Sequence, residues 1–221
     1  MSDKKIILYG DLVSQPVRAV YWFLVINNIE FEFKEVLLGK KEARTDEYSK
    51  INPLQKMPAL KYKGDIYIES HNILRFLSQE FNLNQYYGET LKEKTKVDTY
   101  LDWHHLGIRT FAQSLFAQKY LMPKFGTGLY NDKNLNAEEG VPLGLKQIES
   151  VFLKNGENKY IVGDHLTIAD FSCYCELKQL DGINYDFTPY KSIQKWRKLM
   201  ESLDGYKETN IKINEVASSH Q

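Results

Sequence analysis

Strand-like patterns occupy only about the first third of this 221-residue chain, and that asymmetry limits the possible folds more than any other feature. Ile6–Tyr9 predicts a short buried strand, and after a polar elbow the apolar segment Val17–Ile26 has the length of a helix. Pro16 suits the first turn of that helix, where its missing N–H costs nothing. Phe31–Val36 alternates and predicts a second strand. The chain therefore opens with a predicted β-α-β unit.

A hairpin and a helix complete the predicted first domain. Ala59–Tyr62 and Ile66–Ile68 flank the turn Lys63–Asp65, which predicts two antiparallel strands. Ser70 then precedes apolar residues at helical spacing. The order β-α-β and then β-β-α predicts a small α/β domain over residues 1–83.

Strand signals largely stop after Asn82, and helical periods follow. The polar run Leu83–Gly88 is the candidate linker, and residues 91–221 are predicted to form an all-helical second domain. Its helical periods are Val97–Phe116, Leu143–Leu153, Ile168–Leu180 and Ile193–Leu203. A loop or broken helix is predicted in its middle from Gly126, Gly128, Gly140, Pro142 and Gly144.

Composition argues against several classes of partner. Lys and Arg number 29 against 29 Asp and Glu, so no net charge attracts nucleic acid or an acidic membrane surface. No stretch of about 18 apolar residues occurs, and Met1–Lys5 leads into no secretory segment, which predicts a cytoplasmic protein without a membrane partner. Cys173 and Cys175 are too closely spaced for a structural bridge and are expected to be reduced core thiols.

Ser14 is the first candidate for chemistry. It follows a predicted strand and precedes Pro16, so its hydroxyl should lie at the N-terminal end of the first helix. A hydroxyl donor, unpaired N–H groups and the helix dipole together stabilise an anion and would lower the pKa of a thiol placed there. The alternative is that Ser14 only caps the helix, as serine commonly does.

Two further motifs are suited to holding a peptide. Pro58 disfavours helical geometry at Met57, whose extended backbone could pair with a peptide ligand, although an ordinary strand start explains the same pattern. The Met57–Pro58 bond is expected to be trans from base rates alone. Glu69 and Ser70 lie where a strand ends and a helix begins, so they could hold the ammonium and carboxylate of an amino acid. A capping Ser70 beside a solvated Glu69 is the alternative.

In this order the motifs resemble glutathione transferases of the theta class or a close relative. The resemblance rests on Asp11–Val20, Asn52–Leu60 and the pair Glu69–Ser70, covers roughly the whole chain, and is strongest in about the first 80 residues. It implies a thioredoxin-like first domain and an all-helical second domain that forms the electrophile pocket. It also implies glutathione as co-substrate, a small electrophile as second substrate, a role in detoxification and a homodimer.

The resemblance assigns roles residue by residue. Ser14 matches the serine that hydrogen-bonds the glutathione sulfur. Met57 matches the residue whose backbone pairs with the cysteinyl unit, Pro58 matches a cis-proline, and Lys56 matches a basic residue near the glycine carboxylate.

At the other end of the peptide, Glu69 and Ser70 match the pair that grips the γ-glutamyl group. Arg109 matches, more loosely, an arginine that reaches toward the site, and His105 lies on the same helix. Both are candidate contacts for glutathione or the electrophile.

Two departures from the family pattern affect these expectations. Ala43 stands where theta-like sequences often have a histidine for the glycine carboxylate, with Lys41 and Arg44 as possible substitutes. The chain ends at Gln221 without the C-terminal extension expected of vertebrate-like theta members, which predicts a more open electrophile site.

Other residues compete for these roles or serve folding. Tyr9 could be the thiolate donor, since other transferase classes use a tyrosine near the first strand, but packing is the preferred interpretation. Thr167 and Asp170 form a capping-box pattern assigned to folding. Adjacent His104 and His105 should point apart on a helix, and no third ligand is suggested, so no metal is predicted.

The sequence leaves two functions from different classes open. The first is a glutathione transferase, and the second is a non-catalytic module that keeps the fold for protein association. Retention of the complete set of site residues favours the enzyme. A thiol-exchange enzyme would need a cysteine where Ser14 stands.

Overall fold

A computed structural model describes residues 5–126 and 136–218. A four-stranded sheet of order β2-β1-β3-β4 lies in the first domain. β1 pairs in parallel with β2 and antiparallel with β3, and β3 pairs antiparallel with β4. The strands are β1 Ile6–Gly10, β2 Phe31–Glu35, β3 Ala59–Tyr62 and β4 Asp65–Ile68. The β-α-β unit and the hairpin therefore share one mixed sheet, as predicted.

Helices connect and follow these strands. α1 Gln15–Ile26 crosses between the parallel strands, a short α2 Asp46–Ser49 lies before the hairpin, and α3 Ser70–Glu80 follows it. A single 3-10 turn at Asn84–Tyr86 then precedes the second domain.

Helices make up most of the described part of the second domain, and an isolated β-bridge joins Tyr160 and Gly163. Its helices are α4 Leu91–His104, α5 Thr110–Phe116, α6 Met122–Phe125, α7 Ala137–Gln147, α8 Ile168–Asp181, α9 Lys191–Glu201, α10 Tyr206–Thr209 and α11 Ile211–Ser218. π-helical turns at His105–Arg109 and Ala117–Leu121 join α4, α5 and α6 into one long segment. The fold class is thus the expected one, a thioredoxin-like domain followed by an all-helical domain.

The predicted break in the middle of this domain is only partly right. Gly126 ends α6 with a φ of 80°, whereas Gly128 lies outside the described residues. Gly140, Pro142 and Gly144 lie inside α7, so the prediction of a chain break there is wrong. A Cβ atom at Gly144 would lie 2.7 Å from the carbonyl oxygen of Gly107. These glycines permit close helix packing.

One hydrophobic core runs through both domains, and α1 lies at its centre. The ring of Trp22 meets those of Phe171 and Tyr174 of α8 edge to face, with both centroids 5.4 Å away. The indole N–H of Trp22 also donates to the carbonyl of Asp204 at 2.7 Å. The domains therefore meet through packed aromatic rings together with hydrogen bonds such as that from Gln15 to the Ser172 carbonyl.

The folding roles assigned from sequence agree with the structure. Asp170 accepts hydrogen bonds from the backbone N–H and hydroxyl of Thr167, which completes the capping box of α8. Cys173 and Cys175 are buried and unpaired. Within residues 5–126 and 136–218, no helix has both the length and the apolar character needed to cross a membrane.

Candidate active site

A cavity of about 370 Å³ opens between the two domains. It is lined by all eight residues singled out from the sequence: Ser14, Lys56, Met57, Pro58, Glu69, Ser70, His105 and Arg109. Ala43, Lys41 and Arg44 also line it. Tyr9 is absent from its wall and packs instead against the small apolar cluster around Tyr48.

The turn before α1 places Ser14 on the cavity wall. Asp11 shapes that turn, because its carboxylate accepts from Val13 N–H at 3.0 Å and its carbonyl accepts from Ser14 N–H at 2.9 Å. Buried Arg18 holds the same turn from below by donating to the carbonyls of Leu12 and Val13. The position of Ser14 is therefore fixed by a hydrogen-bonded turn at the start of α1.

Ser14 occupies the N-cap position of α1 but does not cap with its side chain. Its hydroxyl has no hydrogen-bond partner among the described residues, so it is free to donate into the cavity. The first helical bond closes at Arg18 N–H, which leaves the N–H groups of Gln15 and Val17 unpaired at the positive end of the helix dipole. This end of α1 favours an anion.

The segment before β3 is held in an irregular, extended form. The carbonyl of Lys56 accepts from Asn52 Nδ2 at 2.6 Å and from the Tyr48 hydroxyl at 3.0 Å. The Met57–Pro58 bond is cis, so the trans default from base rates is wrong and the family match is right. The Met57 backbone makes no hydrogen bond within the described chain, which leaves it available to pair with a ligand.

Glu69 and Ser70 form the second helix start on the wall. Glu69 holds a left-handed φ of 65° at the N-cap of α3, and Ser70 is the first helical residue. The expectation that Ser70 is only a capping residue is therefore wrong. The first helical bond joins Ile73 N–H to the Glu69 carbonyl, so three preceding N–H groups are open to a carboxylate.

The charge around the cavity is mostly positive. Lys41, Arg44, Lys56 and Arg109 line it, against Glu69 as the carboxylate on the same wall. Such a distribution favours a ligand with several carboxylates and a single ammonium group.

Arg109 reaches the cavity from the helical domain and is firmly held there. Its guanidinium donates to the buried Glu176 carboxylate at 2.8 Å and to the side chain of Gln15. Burial would raise the pKa of Glu176, but Arg109 and His104 outweigh burial and lower it. Glu176 is therefore a buried anion, and Arg109 links α1 to α8 beneath the cavity.

A second, smaller cavity of about 70 Å³ adjoins the first and is more apolar in its lining residues. Val13, Leu38, Phe116 and Leu121 contribute to its wall. Ser14 lines both cavities. Its hydroxyl thus lies where the two cavities meet.

Sequence reasoning missed several residues of this site. Gln15 donates to the carbonyl of Ser172 at 3.0 Å and so ties the start of α1 to the helical domain. His71 lines the cavity from α3, and Asn52 orients the loop ahead of Met57. Gln15 and Asn52 lie in the motifs that carried the resemblance, so their side-chain amides were the available signal, whereas His71 depends on contacts between the domains.

Comparison with known proteins decides the family. The chain matches the family model for the glutathione S-transferase N-terminal domain over residues 8–85 and that for the C-terminal domain over residues 119–209. The chain belongs to the glutathione S-transferase family. Among curated members of the family, glutathione S-transferase theta-1 of Gallus gallus is 34% identical over 90% of this chain and 84% of its own.

Solved transferase structures agree. Human glutathione S-transferase T1-1 in its apo form superposes with a TM-score of 0.87 at 30% identity, covering 96% of this chain and 91% of the human one. Human glutathione transferase theta-2, solved with glutathione, gives a TM-score of 0.88 at 30% identity over 97% and 89% of the two chains. This chain is therefore a theta-like glutathione transferase, and the scaffold alternative is not favoured.

Proposed function

We propose that the protein binds glutathione in the larger cavity and transfers its thiolate to a small electrophile held in the adjoining smaller cavity, beside Val13, Leu38 and Phe116. The observation that carries this proposal is the free hydroxyl of Ser14, on the shared wall of the two cavities and at the start of α1. A sulfur placed beside this hydroxyl faces both chambers.

The cavity suits glutathione along its length. The γ-glutamyl carboxylate would meet the open N–H groups of α3 and the Ser70 hydroxyl, and its ammonium would meet Glu69. The cysteinyl unit would pair with the backbone of Met57, ahead of Pro58. Lys56 is the candidate partner of the glycine carboxylate.

At the glycine end, Ala43 leaves the position of the family histidine without a polar side chain. Lys41 and Arg44 flank it and line the cavity, so they are the proposed substitutes. His105 and Arg109 face the same cavity from the helical domain, and we assign Arg109 to positioning because Glu176 and Gln15 already engage it.

The chemistry follows from supplying thiolate at neutral pH. The hydroxyl of Ser14 and the positive end of α1 stabilise the ionised sulfur, whose proton leaves to solvent. The thiolate then attacks the electrophilic atom, a carbon–sulfur bond forms, and the leaving group or opened ring takes the electron pair. Holding both reactants side by side supplies the remaining rate advantage.

Replacement of Ser14 by Ala tests the mechanism. A hydrogen bond to a charged group is worth about 1.5–3 kcal/mol, so the pKa of bound glutathione should rise by about one to two units in the variant. Conjugation at neutral pH should fall about 10- to 100-fold and recover as the pH is raised. Absence of any change in either the rate or the pH profile would remove Ser14 from the mechanism.

A matched control separates binding from ionisation. Ser70→Ala removes a hydroxyl from the same cavity at the γ-glutamyl end, so it should raise KM for glutathione and leave the pH profile in place. Retention on immobilised glutathione should survive in Ser14→Ala if the hydroxyl acts on the thiolate only. A folded wild-type protein that is not retained would contradict glutathione binding itself.

We also propose that the protein is a homodimer. Leu106 and Leu143 are 80% and 56% exposed, and they lie on helical elements whose backbones approach at Gly107 and Gly144. Exposed apolar side chains on adjoining elements favour a protein partner, and a second copy of the chain is the one proposed. A light-scattering mass equal to one chain would refute it.

A further inference from the structure

Three histidines from both domains meet at one edge of the large cavity. His71 comes from α3, and His104 and His105 come from the end of α4 and the π-helical turn after it. Their ring centroids are 5.0 Å apart for His71 and His104, 4.6 Å for His71 and His105, and 5.8 Å for His104 and His105. One nitrogen of each ring lies within 4.8 Å of the others.

This spacing is close to that of a tri-histidine metal site. With metal–nitrogen bonds of about 2.0–2.1 Å at tetrahedral angles, the three nitrogens lie about 3.3 Å apart and the ring centroids about 5 Å apart. The rings here already have that centroid spacing. Side-chain rotations that bring each pair of nitrogens closer by at most about 1.5 Å would complete the site.

The outer contacts of the rings are those expected around metal-bound histidines. His71 Nε2 lies 2.7 Å from the Ser172 hydroxyl, and His104 Nε2 lies 3.4 Å from the Glu176 carboxylate. The contact between His71 and Ser172 is of the kind that orients a metal-bound histidine ring. His104 is 1% exposed, and neither of its ring nitrogens has a hydrogen-bond partner among the described residues, which leaves two buried polar atoms unsatisfied.

Charges of both signs surround the cluster, and Arg75 and Arg109 both act on His71 with positive charge. Arg109 lies near the rings, but the buried Glu176 carboxylate pairs with it at 2.8 Å. Glu69 and Asp102 both act on His105 with negative charge.

We propose that His71, His104 and His105 bind one late first-row divalent metal ion, with Zn²⁺ as the probe. Neutral imidazoles are preferred ligands of such ions, and three of them leave a fourth position open to a water molecule from the cavity. The sequence-based expectation of no metal assumed regular helical spacing and lacked His71, and the structure corrects both premises. The ion would join the two domains across their interface.

The experiment uses untagged, chelator-treated full-length protein. Titration with Zn²⁺ by calorimetry should give one site per chain with a micromolar or tighter Kd, and Co²⁺ should give the visible absorption of a tetrahedral site. His105→Asn removes an exposed ligand with little risk to folding and should weaken binding by more than about tenfold, the lower end of what loss of even an outer-shell partner costs.

His165→Asn is the matched control, because His165 is also exposed and lines a different cavity from the three histidines. It should leave both the Zn²⁺ titration and the Co²⁺ spectrum unchanged. Absence of stoichiometric binding in the folded wild type would overturn the proposal, and so would binding that persists in His105→Asn. Neither result bears on Ser14 or on glutathione conjugation, so the two proposals fail separately.

Discussion

Arg18 offers the sharpest test of how the site is held. Its side chain is fully buried, and its guanidinium donates to the carbonyls of Leu12 at 3.0 Å, Val13 at 2.8 Å and Cys175 at 2.8 Å. Burial lowers its pKa from the ordinary value. None of the described ion pairs includes Arg18. The three carbonyls are therefore the acceptors that replace water at its two terminal amino groups, and its Nε–H has no partner among the described residues.

Replacement of Arg18 by Met keeps much of the volume and removes all three donors. Each buried carbonyl left unsatisfied costs about 1–3 kcal/mol, and release of the guanidinium from its buried position offsets part of the sum. A net loss of about 3–5 kcal/mol in the free energy of unfolding is expected, comparable to breaking a buried ionic contact. Arg18→Lys keeps the charge, but the lysine side chain cannot reach all three carbonyls. Its free energy of unfolding should therefore lie between those of wild type and Arg18→Met.

The assay is urea unfolding followed by tryptophan fluorescence, with the free energy obtained by linear extrapolation. Arg44→Met is the control, because Arg44 is exposed and its loss should change stability by no more than about 0.5 kcal/mol. A loss below about 1 kcal/mol in Arg18→Met would refute the view that this residue joins the Ser14 turn to α8.

Three further outcomes are expected. Gly144→Ala should destabilise the protein by about 1–3 kcal/mol in urea unfolding, although alanine is the better helix former, because its Cβ would meet the Gly107 carbonyl oxygen; a gain in stability would contradict this packing. Burial raises the pKa of Asp170 to about 6, whereas the pKa in an unfolded chain is about 3.9. The stability that protonated Asp170 contributes is therefore complete below about pH 3.9 and is lost as the pH rises through about 6. The advantage of wild type over Asp170→Asn in urea unfolding should therefore shrink by about 3 kcal/mol between about pH 4 and about pH 7, and a growing advantage would refute the shift. Leu106→Glu should halve the mass measured by light scattering, and an unchanged dimer would place the interface elsewhere.

The sequence predicted those parts of the fold that depend on neighbouring residues. The Ser14 turn, the extended segment at Met57 and the start of α3 at Ser70 each follow from a local pattern in which proline or serine restricts the backbone. Because these motifs lie at strand and helix ends of one sheet, their meeting in one cavity was predictable with the family resemblance.

Features that depend on packing between the domains were not predictable in the same way. Glycine in a sequence indicates equally well a close contact between helices and the interruption of a helix. The prediction of a broken helix at Gly140 and Gly144 was wrong for this reason. His71 and His104 are distant in the sequence and meet only because α3 packs against the helical domain. Likewise, nothing in the sequence near Glu176 indicates that Arg109 will reach it.

The shared aromatic core around α1 has a consequence for how the molecule could be divided. α1 belongs to the sheet by chain connectivity, yet Trp22 is completed by rings of α8. A fragment that ended after the sheet would expose the apolar face of α1 to solvent. The remaining helical fragment would expose the rings of α8 that normally cover this face. Neither domain is therefore expected to fold without the other. A chimera that takes one domain from a relative would fold only if the aromatic residues that pack against it came from the same relative.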